Sequence, residues 1–251
     1  MVTTVAVVGA SGRLGALVAS VVEELPDFEL VARLSSRDRA HDAPGTVFGG
    51  AQVVVDVTVP ALSPAVVENA LGTGANVLVG TSGWSGERLG RLRTSLVDRP
   101  EQGAFVVPNF SIGSVVGTHL ATVAAPWFPS VEIVESHHAG KIDSPSGTAV
   151  RTAELIAEAR RDVGPVDAPH VDQRARGQQV ASVPIHSLRL PGVKAVQDVV
   201  LSGPGETLTI RHDTGDDSAY LPGIRAALQA VGSMRGLTVG LGTLLGIGQA
   251  G

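Results

Sequence analysis

Val5-Ala6-Val7-Val8-Gly9-Ala10-Ser11-Gly12-Arg13-Leu14-Gly15 is the stretch that decides the fold. A short, mostly β-branched run ends on a glycine, and two more glycines follow at three-residue intervals as helical periodicity takes over. Glycines at such a turn let the backbone bend tightly and approach a ligand closely. The helix start behind them offers amide groups and the positive end of its dipole, which is how a pyrophosphate is held. Gly9, Ala10, Ser11, Gly12, Arg13 and Leu14 therefore read as a dinucleotide cradle. Two residues separate the first pair of glycines where the common Gly-x-Gly-x-x-Gly pattern has one. The strand–turn–helix context carries the reading more than the glycines do.

Working outward, Glu29–Leu34, Val53–Val57, Val77–Val79 and Phe105–Val107 are further short apolar strands. Helical patterns lie at Leu14–Leu25, Leu62–Leu71 and Glu87–Val97. Short apolar strands alternating with helices imply βαβ units with strands buried on both faces. Residues 1–108 are thus expected to form a Rossmann-like, doubly wound parallel sheet. After Asn109 the pattern changes: a helix near 111–125, a strand at Val131–Glu135, a polar loop, and a long helix near 146–161. An irregular stretch, 163–179, leads into Val183–Leu190, Ala195–Leu201 and Thr207–His212 with no helix between them, so a mixed or antiparallel sheet is expected. The chain closes with a helix near Tyr220–Val231 and a glycine-rich tail expected to fray. The α/β part is read as residues 1–108 with 217–251, a dinucleotide-binding domain, and the α+β part as an inserted substrate-binding domain, 109–216.

Composition excludes several classes. The 251 residues are 43% hydrophobic and 17% charged, which suits a folded chain with a sizeable core. A net charge of −5 argues against nucleic acid as partner, so an anionic ligand has to be held by local features. There is no cysteine, which removes disulfides, thiolate metal sites and cysteine nucleophiles. No basic leader opens the chain and no apolar run approaches the roughly 20 residues of a membrane helix, so no membrane partner and a cytoplasmic location are expected.

The end of the second strand reads Arg33-Leu34-Ser35-Ser36-Arg37, with the first acid only at Asp38. An acid at the strand end would suit ribose hydroxyls, whereas hydroxyls flanked by guanidinium suit a 2′-phosphate. Ser35, Ser36 and Arg37 are therefore expected to favour NADPH, with NADH possible.

The densest chemistry is Glu135-Ser136-His137-His138-Ala139-Gly140-Lys141-Ile142-Asp143-Ser144-Pro145-Ser146-Gly147-Thr148-Ala149. Histidine exchanges a proton near neutral pH, and lysine supplies a cation or a second proton. Ser144-Pro145 reads as a helix opening, with amides around Ser146, Gly147 and Thr148 forming a site for a substrate carboxylate. Asp143 is placed to orient Lys141. Adjacent histidines rarely share a metal and the lysine would repel one, so no metal is expected. His41, His119, His170, His186 and His212 read as structural or surface residues.

These strings, with Val79-Gly80-Thr81-Ser82-Gly83 and Val107-Pro108-Asn109-Phe110-Ser111-Ile112-Gly113, resemble the dihydrodipicolinate reductase family over essentially the whole chain. The resemblance implies NAD(P)H-dependent reduction of 4-hydroxy-tetrahydrodipicolinate, a cyclic dicarboxylate, to tetrahydrodipicolinate in the diaminopimelate route to lysine. It implies His137 as the acid–base histidine, Lys141 as proton donor, His138 as a substrate contact, and Gly147 with Thr148 as the carboxylate site. It also implies cofactor contacts at Gly80, Thr81, Ser82, Val107, Pro108, Asn109 and Phe110, and a homotetramer built through the sheet of the second domain. Three positions depart from the family's usual pattern: Val57 stands where an aromatic is common, Val196 where a histidine is, and Asp217 where an arginine is. Asp217 is expected to place a negative charge near ligand, and these departures leave open a paralogous reductase acting on another imine or enamine acid.

Overall fold

The computed structural model describes residues 2–42 and 45–247. It divides into two compact units, Met1–Ile112 with Tyr220–Gly251, and Gly113–Ala219. The first unit opens with β1 (Thr3–Val8), α1 (Arg13–Glu24), β2 (Phe28–Leu34), β3 (Val53–Asp56), α2 (Ser63–Leu71), β4 (Asn76–Val79), α3 (Gly86–Val97) and β5 (Gly103–Val106). At the boundary begins α4 (Ile112–Ala124). The second unit continues with β6 (Ser130–His137), α5 (Gly147–Ala159), β7 (Gln178–Val180), β8 (Val183–Arg189), β9 (Ala195–Gly203) and β10 (Glu206–Thr214). The chain then returns to the first unit with α6 (Leu221–Val231) and β11 (Gly236–Val239).

The first sheet is wholly parallel in the order β11-β5-β4-β3-β1-β2. β3, β4 and β5 are buried at every position, as strands covered by helices on both faces must be. Ala6, Val8, Val54, Val77, Val79 and Val106 pack in one cluster with Val66, Val67 and Leu71 of α2 and Leu92 and Leu96 of α3. The alternate residues Val5, Val7, Val53, Val55, Leu78 and Phe105 are equally buried, and α1 and α6 cover that face. Because β1 has β2 on one side and β3 on the other, the winding reverses beside it. Ligands of such sheets bind outside the carboxyl ends at this reversal, where the Gly9 turn lies.

Periodicity does not reveal β11. The tail expected to fray instead adds this sixth strand beside β5, and the amide of Gly236 donates to the carbonyl of Gln102 at 2.9 Å. Residues 248–251, the rest of that tail, lie outside the described residues. Buried Asn76 anchors the returning segment. Its side-chain amide donates to the carbonyls of Val231 (2.8 Å) and Gly232 (3.0 Å) at the end of α6, and its Oδ1 accepts from the amide of Gly103 (2.8 Å). Terminal helix carbonyls need such partners when buried.

The second sheet is mixed, in the order β10-β9-β6-β8-β7; β6 and β8 run parallel and the other pairs antiparallel. Strand β7 lies at the end of the stretch expected to be irregular, where a three-residue strand carries too little alternation to read. Val131, Ile133, Val183, Ile185, Val199 and Leu201 pack on Ala149, Ala153 and Ile156 of α5. The opposite face carries Glu132, Val134, Val200 and Leu188, the last 44% exposed. Among the described residues no helix is long and apolar enough to cross a membrane.

Replacing Asn76 with alanine strands buried carbonyls and one buried amide together. The expected cost is about 2–3 kcal/mol, seen in calorimetry as a fall in Tm of roughly 5–10 °C for a chain of this size. An unchanged Tm would show that the closing segment docks without it.

Candidate active site

The burial of β6 alternates, with Val131, Ile133 and Glu135 on the core side. A carboxylate at that parity is costly unless it is paired and fully hydrogen-bonded. Glu135 is 0% exposed and meets both conditions. Arg189, at the end of the parallel neighbour β8, donates to Oε2 at 2.9 Å and to Oε1 at 3.0 Å. The amide of Ser146 donates to Oε1 at 3.2 Å, and Nδ1 of His137 lies 2.5 Å from Oε2. Burial works to raise the carboxyl pKa, but hydrogen bonds from Arg189, Ser187 and His137 outweigh it and hold Glu135 below the usual carboxylate range.

His137 is the last residue of β6, with its side chain 17% exposed. Its pKa is lowered, chiefly by burial; Glu135 opposes this, while Lys141 and Arg189 add to it. Near pH 7 the imidazole is therefore mostly neutral. Lys141 is held by both carboxylate oxygens of Asp143, at 2.9 and 2.8 Å, which in turn pulls the Asp143 pKa down. Arg189 also donates to the carbonyl of Asp143 at 2.7 Å, so the arginine that neutralises Glu135 fastens the loop as well. His138 is exposed, and its carbonyl accepts from the amide of Lys141.

The helix opening differs from the sequence reading. The cap of α5 is Ser146, whose hydroxyl accepts from the amide of Ala149 at 3.2 Å; Ser144 and Pro145 lie outside the helix. Ser146 is also 3% exposed with its amide committed to Glu135. It therefore helps build the site from within, while its hydroxyl, an acceptor in this cap, keeps its own proton to donate. The amides of Gly147 and Thr148 make no hydrogen bond among the described residues. They are left as uncommitted donors at a helix start, where the dipole favours an anion.

In the first unit, Gly9 has φ 91°, and a Cβ there would lie 2.5 Å from the carbonyl oxygen of Val57. A Cβ on Gly15 would lie 2.1 Å from the carbonyl oxygen of Gly9. These two glycines let strand, turn and helix pack. At Gly12, the cap of α1, the nearest atom to such a Cβ is 3.3 Å away and no side chain caps the helix. Ser11, Gly12 and Arg13 are exposed. A turn whose middle glycine is spared by packing, ahead of an uncapped helix, fits the pyrophosphate of a dinucleotide.

Gly80 follows β4, its amide donating to the carbonyl of Asp56 at 2.8 Å, and a Cβ there would meet the Phe110 ring at 2.7 Å. Thr81, Val107 and Phe110 are buried, so any ligand contact falls to backbone there, while Ser82 and Pro108 are exposed. The Asn109 Oδ1 accepts from the amide of Ser111 at 2.9 Å. At the end of β2 the expected pair of free hydroxyls reduces to one. Ser35 donates its hydroxyl to Asp38 at 2.8 Å and accepts from the amide of Arg37, while Arg33 is paired with Glu23. Ser36 and Arg37 remain exposed.

Residues 3–110 match the family model described as "Dihydrodipicolinate reductase, N-terminus", and residues 113–245 the one described as "Dihydrodipicolinate reductase, C-terminus". The chain belongs to the dihydrodipicolinate reductase family. It is 57% identical over 245 residues to the 4-hydroxy-tetrahydrodipicolinate reductase of Clavibacter michiganensis subsp. michiganensis, covering 98% of this chain and 87% of that one. It is 46% identical over 241 residues to the enzyme of the same name from Streptomyces griseus subsp. griseus, covering 94% and 95%. A solved structure, dipicolinate-bound dihydrodipicolinate reductase from Paenisporosarcina sp. TG-14, superposes with a TM-score of 0.78 at 31% identity, covering 97% and 99%. Like the other members of the family, the chain is an NAD(P)H-dependent oxidoreductase.

The departures from the family pattern are absorbed locally. Val57 packs its side chain towards Gly80 and its carbonyl against Gly9. Val196 is buried in β9. Asp217 does not present a bare negative charge, because Lys194 forms an ion pair with it. Sequence reasoning missed Arg189 altogether and gave Glu135 no role. The usable signal was parity: a glutamate continuing the series Val131, Ile133 has to find a buried cation.

Both Glu135 and His137 bind protons more weakly folded than unfolded, so acid favours the unfolded chain. His137, joined by His212, which burial also depresses, contributes stability that is full above about pH 6.5 and is lost as pH falls through the folded value. Glu135 adds a second loss below about pH 4.5. Urea unfolding between pH 7.5 and 5 should therefore show stability declining with acid, and His137→Gln should flatten that slope. An equal slope in the variant would mean His137 is not the depressed group.

Proposed function

We propose that the chain reduces 4-hydroxy-tetrahydrodipicolinate to tetrahydrodipicolinate with NAD(P)H, in the diaminopimelate route to lysine. His137 and Lys141 handle the proton, and the amides of Gly147 and Thr148 bind a substrate carboxylate. The observation that carries this reading is the loop itself: a mostly neutral histidine and a lysine stand beside a helix start whose two amides are uncommitted. The relatives' activity and the dipicolinate bound to the Paenisporosarcina enzyme support a small cyclic dicarboxylate as ligand.

When bound, NAD(P)H supplies a hydride. The carbon next to the acceptor then needs a proton, delivered from Nε2 of His137 once that ring is protonated or from Nζ of Lys141. The carboxylate at Gly147 and Thr148 orients the ring with two backbone donors and a helix dipole. His138, exposed at the start of the loop, supplies a further polar contact. The first unit is assigned the cofactor, with the pyrophosphate at Gly9–Leu14 and the nicotinamide end towards Gly80–Ser82 and Val107–Phe110. Arg37 and Ser36 favour the 2′-phosphate of NADPH, since Arg37 is exposed and forms no ion pair among the described residues.

An assay with freshly generated substrate and either cofactor, followed at 340 nm, tests the whole reading. NADPH is expected to give the lower KM, and Arg37→Ala to raise it for NADPH alone. His137→Gln and Lys141→Ala should each lower kcat roughly 100-fold or more, with cofactor affinity kept. Loss of absorbance with neither cofactor, beside an active control enzyme, rejects the substrate; undiminished kcat in either variant rejects that residue's role.

We further infer a homotetramer joined through the uncovered face of the second sheet, which shows Leu188 beside half-buried Val134 and Val200. Light scattering should give four times the 25.6 kDa chain mass, and Leu188→Asp should lower it. A monomeric wild-type chain would reject the assembly.

A further inference from the structure

Glu135 ties the end of its own strand to two points on the loop that follows it. Its Oε2 faces Nδ1 of His137, its Oε1 receives the amide of Ser146, and through Arg189 it reaches the carbonyl of Asp143. The carboxylate can only accept hydrogen bonds, so the proton on the facing imidazole nitrogen belongs to Nδ1. In the neutral ring Nε2 then carries the lone pair, and in the protonated ring it carries the transferable proton. The amides of Gly147 and Thr148 begin one residue after Ser146, so the same anchor sets where the carboxylate site starts.

We infer that Glu135, neutralised by Arg189, is a positioning residue. It fixes His137 as the Nδ1–H tautomer and holds the carboxylate-binding start of α5 in register with it. This rests on the proposed acid–base role of His137. Three charged groups bear on the ring: Glu135 from its own strand, Arg189 from β8, and Lys141 from the loop, itself paired with Asp143. Of these only Glu135 is negative, while the nearby Asp143 is occupied by Lys141. Among the described residues, Glu135 is thus the group in contact with the ring that favours its protonated form.

Long-range nitrogen–proton NMR on the wild-type chain at pH 8, with His137 assigned by loss of its signals in His137→Gln, reads the tautomer directly. The Nδ1–H form is expected; the Nε2–H form would overturn the inference without any variant of Glu135 being needed. In Glu135→Gln, the proton affinity of His137 should fall about tenfold. The limb of the kcat/KM pH profile that reports His137 should move to lower pH with it. Turnover should fall roughly 10- to 100-fold, while NADPH affinity changes less than about twofold. A folded Glu135→Gln chain with the wild-type His137 titration and pH profile would show that Glu135 only supports the fold. Should His137→Gln retain turnover while wild-type His137 is the Nδ1–H tautomer, the acid–base reading falls and the positioning stands.

Discussion

A carboxylate on the core side of a β-strand has to be neutralised where it stands, and the second unit is organised around one such group. Glu135 follows Val131 and Ile133 in the alternation of β6, so the strand that builds the core also carries the charge inward. The bidentate guanidinium of Arg189 satisfies both oxygens, and parallel pairing of β6 with β8 brings the two strand ends to the same edge. Removing either partner would leave an unpaired buried charge, which costs several kcal/mol. The ends of β6, β8 and the loop before α5 are therefore coupled, and His137 inherits a fixed orientation from that coupling. Preorganisation of this kind matters because a proton donor displaced by an ångström loses much of its effect.

The first unit rests on a different constraint. Its parallel strands are covered on both faces, so only the carboxyl ends are left to meet a ligand, and the chain has to turn there within a few residues. Gly9 and Gly15 exist to let those turns close, since a side chain at either would strike backbone within 2.5 Å. Asp56, buried at the end of β3, accepts from the amide and hydroxyl of Thr58 and from the hydroxyl of Ser63, which holds the Val57 turn against Gly9. Rigid packing beneath a turn frees one residue, Gly12, to face outward without a packing demand.

What could be read from sequence follows from which forces act locally. Continuous apolar runs and helical periodicity identified β1 to β5 and their helices, because burial on both faces leaves a strong pattern. The alternation of β6, and the succession β8, β9 and β10 without helices, marked the mixed sheet. Strands β7 and β11 were hidden, since three or four residues hold little pattern and both are stabilised by neighbours distant in sequence. In the candidate site, residue chemistry singled out the loop of His137 and Lys141 and the helix start behind it, which run from the end of β6 to the start of α5. Local hydrogen bonding was not legible: Ser146 in place of Ser144 as the cap, and Ser35 folded back on Asp38, depend on backbone angles that composition does not encode. Arg189 lies 54 residues from Glu135 and is found only by asking where a buried charge is paired.

The two ion pairs of the loop differ in strength, and the difference suits their roles. Glu135 is fully buried and Arg189 meets it in a bidentate geometry with a side chain 21% exposed, and that pair is structural. Lys141 and Asp143 form a pair whose aspartate side chain is 65% exposed, and such contacts contribute at most about 1 kcal/mol. The weaker pair keeps the ammonium near the imidazole without holding it fast. On the proposed function, an anionic ring arriving at the Gly147 and Thr148 amides competes with Asp143 at little cost, and the lysine can turn to it. Being firm at Glu135 and loose at Asp143, the loop would hold the proposed proton donors in place while leaving one of them free to follow the substrate.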